Sequence, residues 1–173
     1  MQITLIIASI LLFMCIVGIY FVTYYNKLIE ILYKVNLSEK NIDELLNNKQ
    51  DYTTRIINII DRHLKLDIKE FEQIKNINSL KPTNIDKDMI INEANDKINK
   101  VIEDYSELSK VKSFNGIVLD IKKCEKKLIT LRNYYNNYAV KYNHYLKKFP
   151  YKLIAKIKNF KSKKIYNIKE IDS

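Results

Sequence analysis

The residue types that could perform chemistry are few in this sequence, and their spacing does not suit it. Its two histidines are His63 and His144. A di-iron site in a helical bundle requires Glu-x-x-His pairs, but the residues three positions earlier are Ile60 and Lys141. A Gly-rich phosphate loop is excluded too, because Gly116 is the only glycine beyond the first apolar run. The sequence therefore predicts a protein that is not an enzyme and that holds no metal and no cofactor.

Acidic residues gather between positions 93 and 107, where two carboxylates could in principle do acid–base work. They are Glu93, Asp96, Glu103, Asp104 and Glu107. Lys97 and Lys100 lie among them at helical spacing, which is typical of a solvated helix face whose charges compensate one another. Cys124 falls on the apolar series described below, so we expect a packed, inert thiol. His63 falls on the apolar stripe of the stretch from Leu28 to Leu66, so we expect a histidine in the core or at the end of the bundle.

The strongest signal in the chain is electrostatic. The net charge is +10, yet the segment from Lys126 to Lys169 has thirteen Lys or Arg and no Asp or Glu, so the remainder sums to −3. This asymmetry indicates an anionic partner, either membrane lipid or nucleic acid, although a solvated face followed by a disordered tail stays open. The candidate contacts to an anionic surface are Lys147, Lys148, Lys152, Lys156, Lys158, Lys161, Lys163 and Lys164.

Four tyrosines interleave with these lysines, and aromatic side chains mixed with basic ones are what single-strand binders use. They are Tyr135, Tyr138, Tyr142 and Tyr145. Their spacing of three and four residues is that of a buried helical stripe, so we expect them to pack inward with their hydroxyls at the edge of the core. Nucleic acid is therefore not the partner we expect.

These residues need a long helix to position them, and the stretch from Phe114 to Phe149 predicts one. Its apolar positions alternate in steps of three and four: Phe114, Ile117, Ile121, Cys124, Leu128, Leu131, Tyr135, Tyr138, Tyr142, Tyr145 and Phe149. No member of the series is charged. Such a pattern, kept over five heptads, indicates a helix that buries one narrow stripe against other helices.

The first apolar run, Ile3 to Val22, contains twenty uncharged residues, which is the length needed to cross a bilayer. Tyr20, Tyr24 and Tyr25 would form an interfacial belt. A cleaved signal peptide would have basic residues before a shorter core, and only Met1 and Gln2 precede this one. We therefore expect a single-pass membrane anchor in contact with the lipid bilayer through residues 3–22. The lysines after the span place the body in the cytoplasm by the positive-inside rule.

The helical rhythm resumes at Leu28 and continues to Leu66, with a polar stretch near Asp51 that fits either one kinked helix or two helices. Residues 74–84 form the first predicted loop, 85–112 the next helix and 113–116 the second turn. The fold class is thus all-α, an antiparallel up-and-down bundle of three to four long helices after one transmembrane helix.

We divide the chain into a membrane anchor (1–24), a helical bundle (25–149) and a basic C-terminal segment (150–173). With three alternating helices the last one would run away from the membrane, and with four it would return there. In the second case Leu153, Ile157 and Phe160 could insert into the lipid as a short amphipathic face. Four helices, with a break near Asp51, are the arrangement we favour.

The order of these features resembles the bacterial LemA family. The resemblance rests on Tyr25-Asn26-x-Leu28, Ile42-Asp43, Glu125, Arg132, Tyr135-Asn136, Tyr142-Asn143 and Phe149-Pro150-x-x-Leu153-Ile154-Ala155. It implies a single-pass protein with a helical-bundle body in the cytoplasm, and it supplies no catalytic residues. It also implies a role in scaffolding or assembly at the membrane, in some cases beside a membrane-embedded metalloprotease.

From the residues and the resemblance together we expect a membrane-anchored, non-enzymatic scaffold or adaptor with a protein partner at the membrane. The alternative is a module that binds anionic lipid or nucleic acid through the segment from Lys147 to Lys164. The sequence also permits a homo-oligomer.

Overall fold

The computed structural model of the chain describes residues 1–64, 71–80 and 82–166. In this part of the chain every regular element is helical and no strand is present, so the all-α prediction is confirmed. The elements are α1 (Gln2–Leu64), α2 (Glu72–Lys75), α3 (Ile77–Leu80), α4 (Asn84–Asp104), a 3-10 helix (Ser106–Lys110), α5 (Lys112–Lys147) and α6 (Tyr151–Lys158).

Helix α1 is continuous through the polar stretch near Asp51, where the sequence permitted either one kinked helix or two helices. The Asp51 carboxylate lies 2.8 Å from the Arg55 guanidinium one turn later, so it pairs along the helix instead of capping a new one. No glycine or proline occurs between Ile19 and Leu64 to interrupt the backbone hydrogen bonds. The described residues contain three long helices: α1, α4 and α5. The arrangement of four long helices that we favoured is therefore wrong for this part of the chain.

The two predicted turns had different outcomes. The first, residues 74–84, contains the end of α2 and the whole of the short helix α3. Helix α4 begins after Thr83, whose Oγ1 accepts a hydrogen bond from the Asp86 N–H at 3.3 Å. The second, residues 113–116, was wrong because α5 already begins at Lys112. Gly116 is accommodated within that helix at a cost of about 1 kcal/mol, and the connection lies earlier, in the 3-10 helix.

The chain folds as two compact units. The first combines Met1–Leu37 with Tyr134–Asn167, and the second contains Ser38–Asn133. Charge is partitioned between them: the first unit has eleven lysines and one glutamate, which equals the +10 of the whole chain and leaves the rest neutral. The predicted division into 1–24, 25–149 and 150–173 separates a membrane anchor from the rest and is a different kind of division from these compact units. It stays a prediction.

In the second unit α4 runs in the same direction as α1. The Asn84 Nδ2 donates to the Glu39 carbonyl at 2.9 Å, and eleven residues later Asn95 lies 3.1 Å from the Thr53 hydroxyl. The start of α4 therefore lies beside the middle of α1 and not beside its C-terminal end. The predicted strict up-and-down order is wrong at this point, because we had assumed that consecutive long helices alternate.

In the first unit the end of α5 lies beside the end of the apolar run. The Lys34 Nζ is 5.2 Å from the centre of the Tyr138 ring, and the Tyr24 ring centre is 5.1 Å from that of Tyr151. The Tyr145 ring of α5 in turn lies 4.5 Å from the Tyr151 ring, so α5 runs antiparallel to α1 there. Three long helices thus bring the C-terminal segment to residue 24, a location that we had expected only with four.

The buried positions of α5 are Phe114, Cys124, Leu128, Arg132, Tyr135, Ala139 and Tyr142. Leu131 and Tyr138, which the predicted series placed in the core, are only half-buried, and Phe149 is 80 % exposed. A strict seven-residue repeat drifts by about 20° per heptad on a straight helix, so the buried face moves to the next residue after two or three repeats. His63 is exposed in the last turn of α1, so a core position is wrong and a position at a helix end is what the structure has.

Among the described residues one helix, α1, is long and apolar enough to cross a membrane. Its most apolar eighteen-residue window has a mean hydropathy of 2.9, and none of that window is buried. An apolar core helix would be covered by its neighbours. The exposure of this stretch is compatible with the predicted anchor.

Candidate functional site

The second unit contains a group of four charged side chains, which we call the charged quartet: Lys49, Asp88, Glu125 and Arg132. Three of them are buried, and Glu125 is half-buried. Lys49 of α1 is only 2 % exposed. Its Nζ donates to the Asn92 side-chain carbonyl at 2.6 Å and to the Glu125 carboxylate. A buried ammonium group requires such partners, since an unpaired charge in a core costs several kcal/mol.

Arg132 of α5 joins the two carboxylates of the quartet. Its Nη1 donates to Glu125 Oε1 at 2.7 Å, and its Nη2 donates to Asp88 Oδ1 at 2.6 Å. The quartet thus contains two positive and two negative charges, and α1, α4 and α5 all contribute to it. Because the charges balance, their burial can fix how these three helices pack in this unit.

The two carboxyl groups are shifted in opposite directions. Burial raises the pKa of Asp88, and the attraction of Arg132 and Lys49 does not fully offset it. Burial would raise the pKa of Glu125 too, but the charge and hydrogen bonds of Lys49, together with Arg132, outweigh burial and lower it. The two carboxyl groups of the quartet thus differ in whether burial or the neighbouring cations dominate.

A cavity of about 240 Å³ opens beside the quartet. Its polar lining includes Lys49, Asn92, Asn95 and Glu125, and its apolar lining is Val118 and four isoleucines of the three helices. The Asn95 Nδ2 is buried there and has no hydrogen-bond partner among the described residues. The volume lies below the 300–1,000 Å³ typical of ligand pockets.

The first unit contains a second polar arrangement, which we call the asparagine clamp: Tyr135, Asn136 and Asn143 on α5. The Asn143 amide donates to the Lys163 carbonyl at 2.7 Å and accepts from the Lys163 N–H at 2.8 Å. The Asn136 amide does the same with Tyr166, both distances being 2.9 Å. The Tyr135 hydroxyl donates to the Lys164 carbonyl at 2.9 Å. These five hydrogen bonds of the clamp therefore all go to the main chain of the segment after α6.

The predicted lysine contacts all belong to the first unit. Lys147 ends α5, and Lys148 follows it. Lys152, Lys156 and Lys158 are on α6, and Lys161, Lys163 and Lys164 are in the segment that the clamp holds. Seven of the eight are exposed, while Lys163 is half-buried. The Lys158 Nζ lies 5.7 Å from the centre of the Tyr25 ring. Their role as contacts to an anionic surface stays a prediction.

Helix α6 is amphipathic around these lysines. Ile154 and Ala155 are buried, whereas Leu153 and Ile157 are exposed, as is Phe149 just before the helix. Its C-terminus is closed by Asn159, which adopts the left-handed conformation at φ 53°, and by the Phe160 N–H donating to the Ala155 carbonyl at 2.9 Å. Exposed apolar side chains thus alternate with lysines next to the end of the apolar run.

Sequence reasoning missed the chemistry of both polar arrangements. Lys49 falls on the 3-4 stripe of the stretch from Leu28 to Leu66, where nothing in the sequence indicates its partner, and Arg132 enters only through the resemblance. A signal was nevertheless present, since Glu125 and Arg132 are seven residues apart and so share a helix face. The two Tyr-Asn pairs are also seven residues apart, which puts Asn136 and Asn143 on one face. Several of the residues that carry the resemblance are thus those that make these bonds.

Comparison with known families agrees with that resemblance. The family model described as "LemA family" matches residues 38–173, which is well over half of the chain. A comparison with curated proteins gives no match.

Proposed function

The chain belongs to the LemA family, and from that membership we propose that it is a single-pass membrane protein acting as a non-enzymatic scaffold, with its body in the cytoplasm. The observation that supports this best is α1 itself. Its first part is an uncovered apolar helix, and the same helix continues without a break into the packed residues from Leu28 onward. A span joined rigidly to a bundle suits a protein that holds partners at the membrane.

The charged quartet supports a structural role rather than catalysis. Both Glu125 oxygens and the Asp88 Oδ1 already accept hydrogen bonds from cationic side chains. A general base needs a free acceptor within reach of a substrate proton. The partner we propose is a protein in the same membrane, and the family resemblance suggests a membrane-embedded metalloprotease.

We expect a cysteine placed at the exposed Asn48 of an otherwise cysteine-free chain (Cys15→Ser, Cys124→Ala) to resist an impermeant thiol reagent in intact cells and to react after lysis. In the same cells, a permeant thiol-reactive photo-crosslinker on this cysteine should give a product heavier than the chain crosslinked to itself. The matched control lacks the crosslinker. Labelling from outside sealed cells would reverse the orientation, and products of chain alone would count against a scaffold with a different protein as its partner.

A second function, contact with anionic lipid, is favoured by one specific observation. The Tyr24 ring touches that of Tyr151 at the start of α6, and Tyr24 is two residues, or about 3 Å of helix rise, past Val22. The exposed face of α6 then lies at the level of the lipid headgroups, where each lysine is worth about 1 kcal/mol at most. Lipid is favoured over nucleic acid because of this placement.

The chain has no tryptophan, so one can be introduced as a reporter in the full chain in proteoliposomes. Ile157→Trp, on the exposed face of α6, should be quenched by lipids brominated on their acyl chains, and more strongly with 30 mol % phosphatidylglycerol than with phosphatidylcholine alone. Leu37→Trp is the control, because this exposed position is about 22 Å of helix rise past Val22. Equal and weak quenching of both reporters would remove α6 from the membrane surface.

A further inference from the structure

The asparagine clamp has the geometry of a receptor for an extended chain. Asn136 and Asn143 are seven residues apart on α5, a rise of about 10.5 Å. The residues that they hold, Lys163 and Tyr166, are three apart, which in an extended chain is about 10 Å. The two spacings agree, so each carboxamide can bond to both the N–H and the carbonyl of one residue. A neighbouring β-strand would satisfy the same two groups.

Most side chains of the held segment take no part in this recognition. Lys161, Ser162, Lys164 and Ile165 are exposed. Phe160 and Lys163 are half-buried. Tyr166 is buried, and its ring lies edge-on to that of Tyr135, with 5.2 Å between the centres. The clamp thus recognises a main chain of the right extension and one aromatic side chain at its end, and it leaves the four exposed positions unspecified.

The charge around the clamp does not favour its present occupant. The first unit has eleven lysines and one glutamate, and three of those lysines, Lys161, Lys163 and Lys164, are brought there by the held segment itself. A segment with acidic residues at the exposed positions would make the same main-chain bonds in an attractive field.

We propose that Tyr135, Asn136 and Asn143 form a peptide-binding site for a partner protein, and that residues 160–166 occupy it as a built-in competitor. The ligand is an extended acidic segment with an aromatic residue three positions after the first clamped residue. A tethered segment acts at an effective concentration in the millimolar range, so the partner binds weakly until the segment leaves. This proposal does not depend on the membrane orientation or on a role of α6 at the lipid surface. A negative result in its test would therefore leave the proposal of an anchored scaffold unaffected.

The test uses the full chain in detergent micelles, with Lys163→Pro and Tyr166→Pro combined to remove the two N–H donors and the aromatic ring of the built-in segment. The probe is a fluorescein-labelled peptide, Phe-Glu-Ser-Lys-Glu-Ile-Tyr, which is the 160–166 segment with two exposed lysines changed to glutamate. We expect its affinity, measured by anisotropy, to be at least tenfold higher for this variant than for the wild type. Methylating the peptide nitrogens at the fourth and seventh residues should remove at least tenfold of that affinity.

The control substitutions are made in the same released background. Asn136→Ala with Asn143→Ala should weaken binding at least tenfold, whereas Asn137→Ala, at an exposed position between them, should not. If the double-proline chain loses its helical circular dichroism, Tyr166→Ala alone serves as the released variant. Binding that is equal for the plain and methylated peptides, or absent from a folded released variant, would overturn the proposal.

Discussion

Replacing Arg132 by methionine is expected to lower the free energy of unfolding by about 3–5 kcal/mol, which is the usual cost of breaking a buried ion pair from one side. Asp88 would lose its cationic partner, and Glu125 would keep only Lys49. The measurement is urea unfolding of the full chain in detergent, followed by circular dichroism. Lys126→Met, at an exposed position six residues earlier on α5, should change the stability by less than about 0.5 kcal/mol.

Two further measurements separate this mechanism from simple loss of packing. Removing Glu125 together with Arg132 leaves Lys49 and Asp88 as a neutral pair, so the double variant should be more stable than Arg132→Met alone. The Asp88 pKa, already raised by burial, should rise further in Arg132→Met. A folded-state pKa above the unfolded value means that protonation favours the folded state, so the deficit should shrink as the pH falls through the raised Asp88 pKa of the variant. A deficit that is independent of both changes would mean that the quartet is not an electrostatic unit.

The second large effect is expected for Leu128→Asp, which places a carboxylate at a position that is 0 % exposed. Loss of the apolar side chain alone costs about 2–5 kcal/mol, and an unpaired buried charge adds to it, so we expect most of the bundle's stability to be lost. Leu119→Asp is the matched control, because the same change occurs on the same helix at a position that is 53 % exposed. Comparable melting temperatures for the two variants would contradict the buried register of α5.

How far the sequence could predict this fold depended on the kind of signal. The absence of breakers and the three-four spacing predicted long helices, and α5 begins two residues from the predicted Phe114. The direction of α4 relative to α1 could not be predicted in this way, because a periodic pattern does not indicate which part of one helix packs beside the start of the next. The buried register failed at Leu131 and Ala139, since a seven-residue repeat was assumed and the 3.6-residue period places Arg132 inward instead.

The candidate sites were harder to predict for a related reason. A periodic pattern shows which face of a helix is buried but not what covers it. Asn136 and Asn143 could be assigned to one face, yet the segment that they hold is extended, and extended chain without a partner strand leaves no periodic trace. Lys49 likewise looked like an interruption of the core, and only its proximity to Glu125 shows that the interruption is compensated.

The separation of charge between the two units gives the protein two different responses to salt. The second unit is neutral and keeps its strongest ion pairs away from solvent, so dissolved ions should affect its folding little. The first unit carries all of the net charge on mostly exposed lysines, and its attraction for any anion decays over a Debye length of about 8 Å at physiological ionic strength. Ionic strength can therefore regulate what the protein holds without altering whether it is folded.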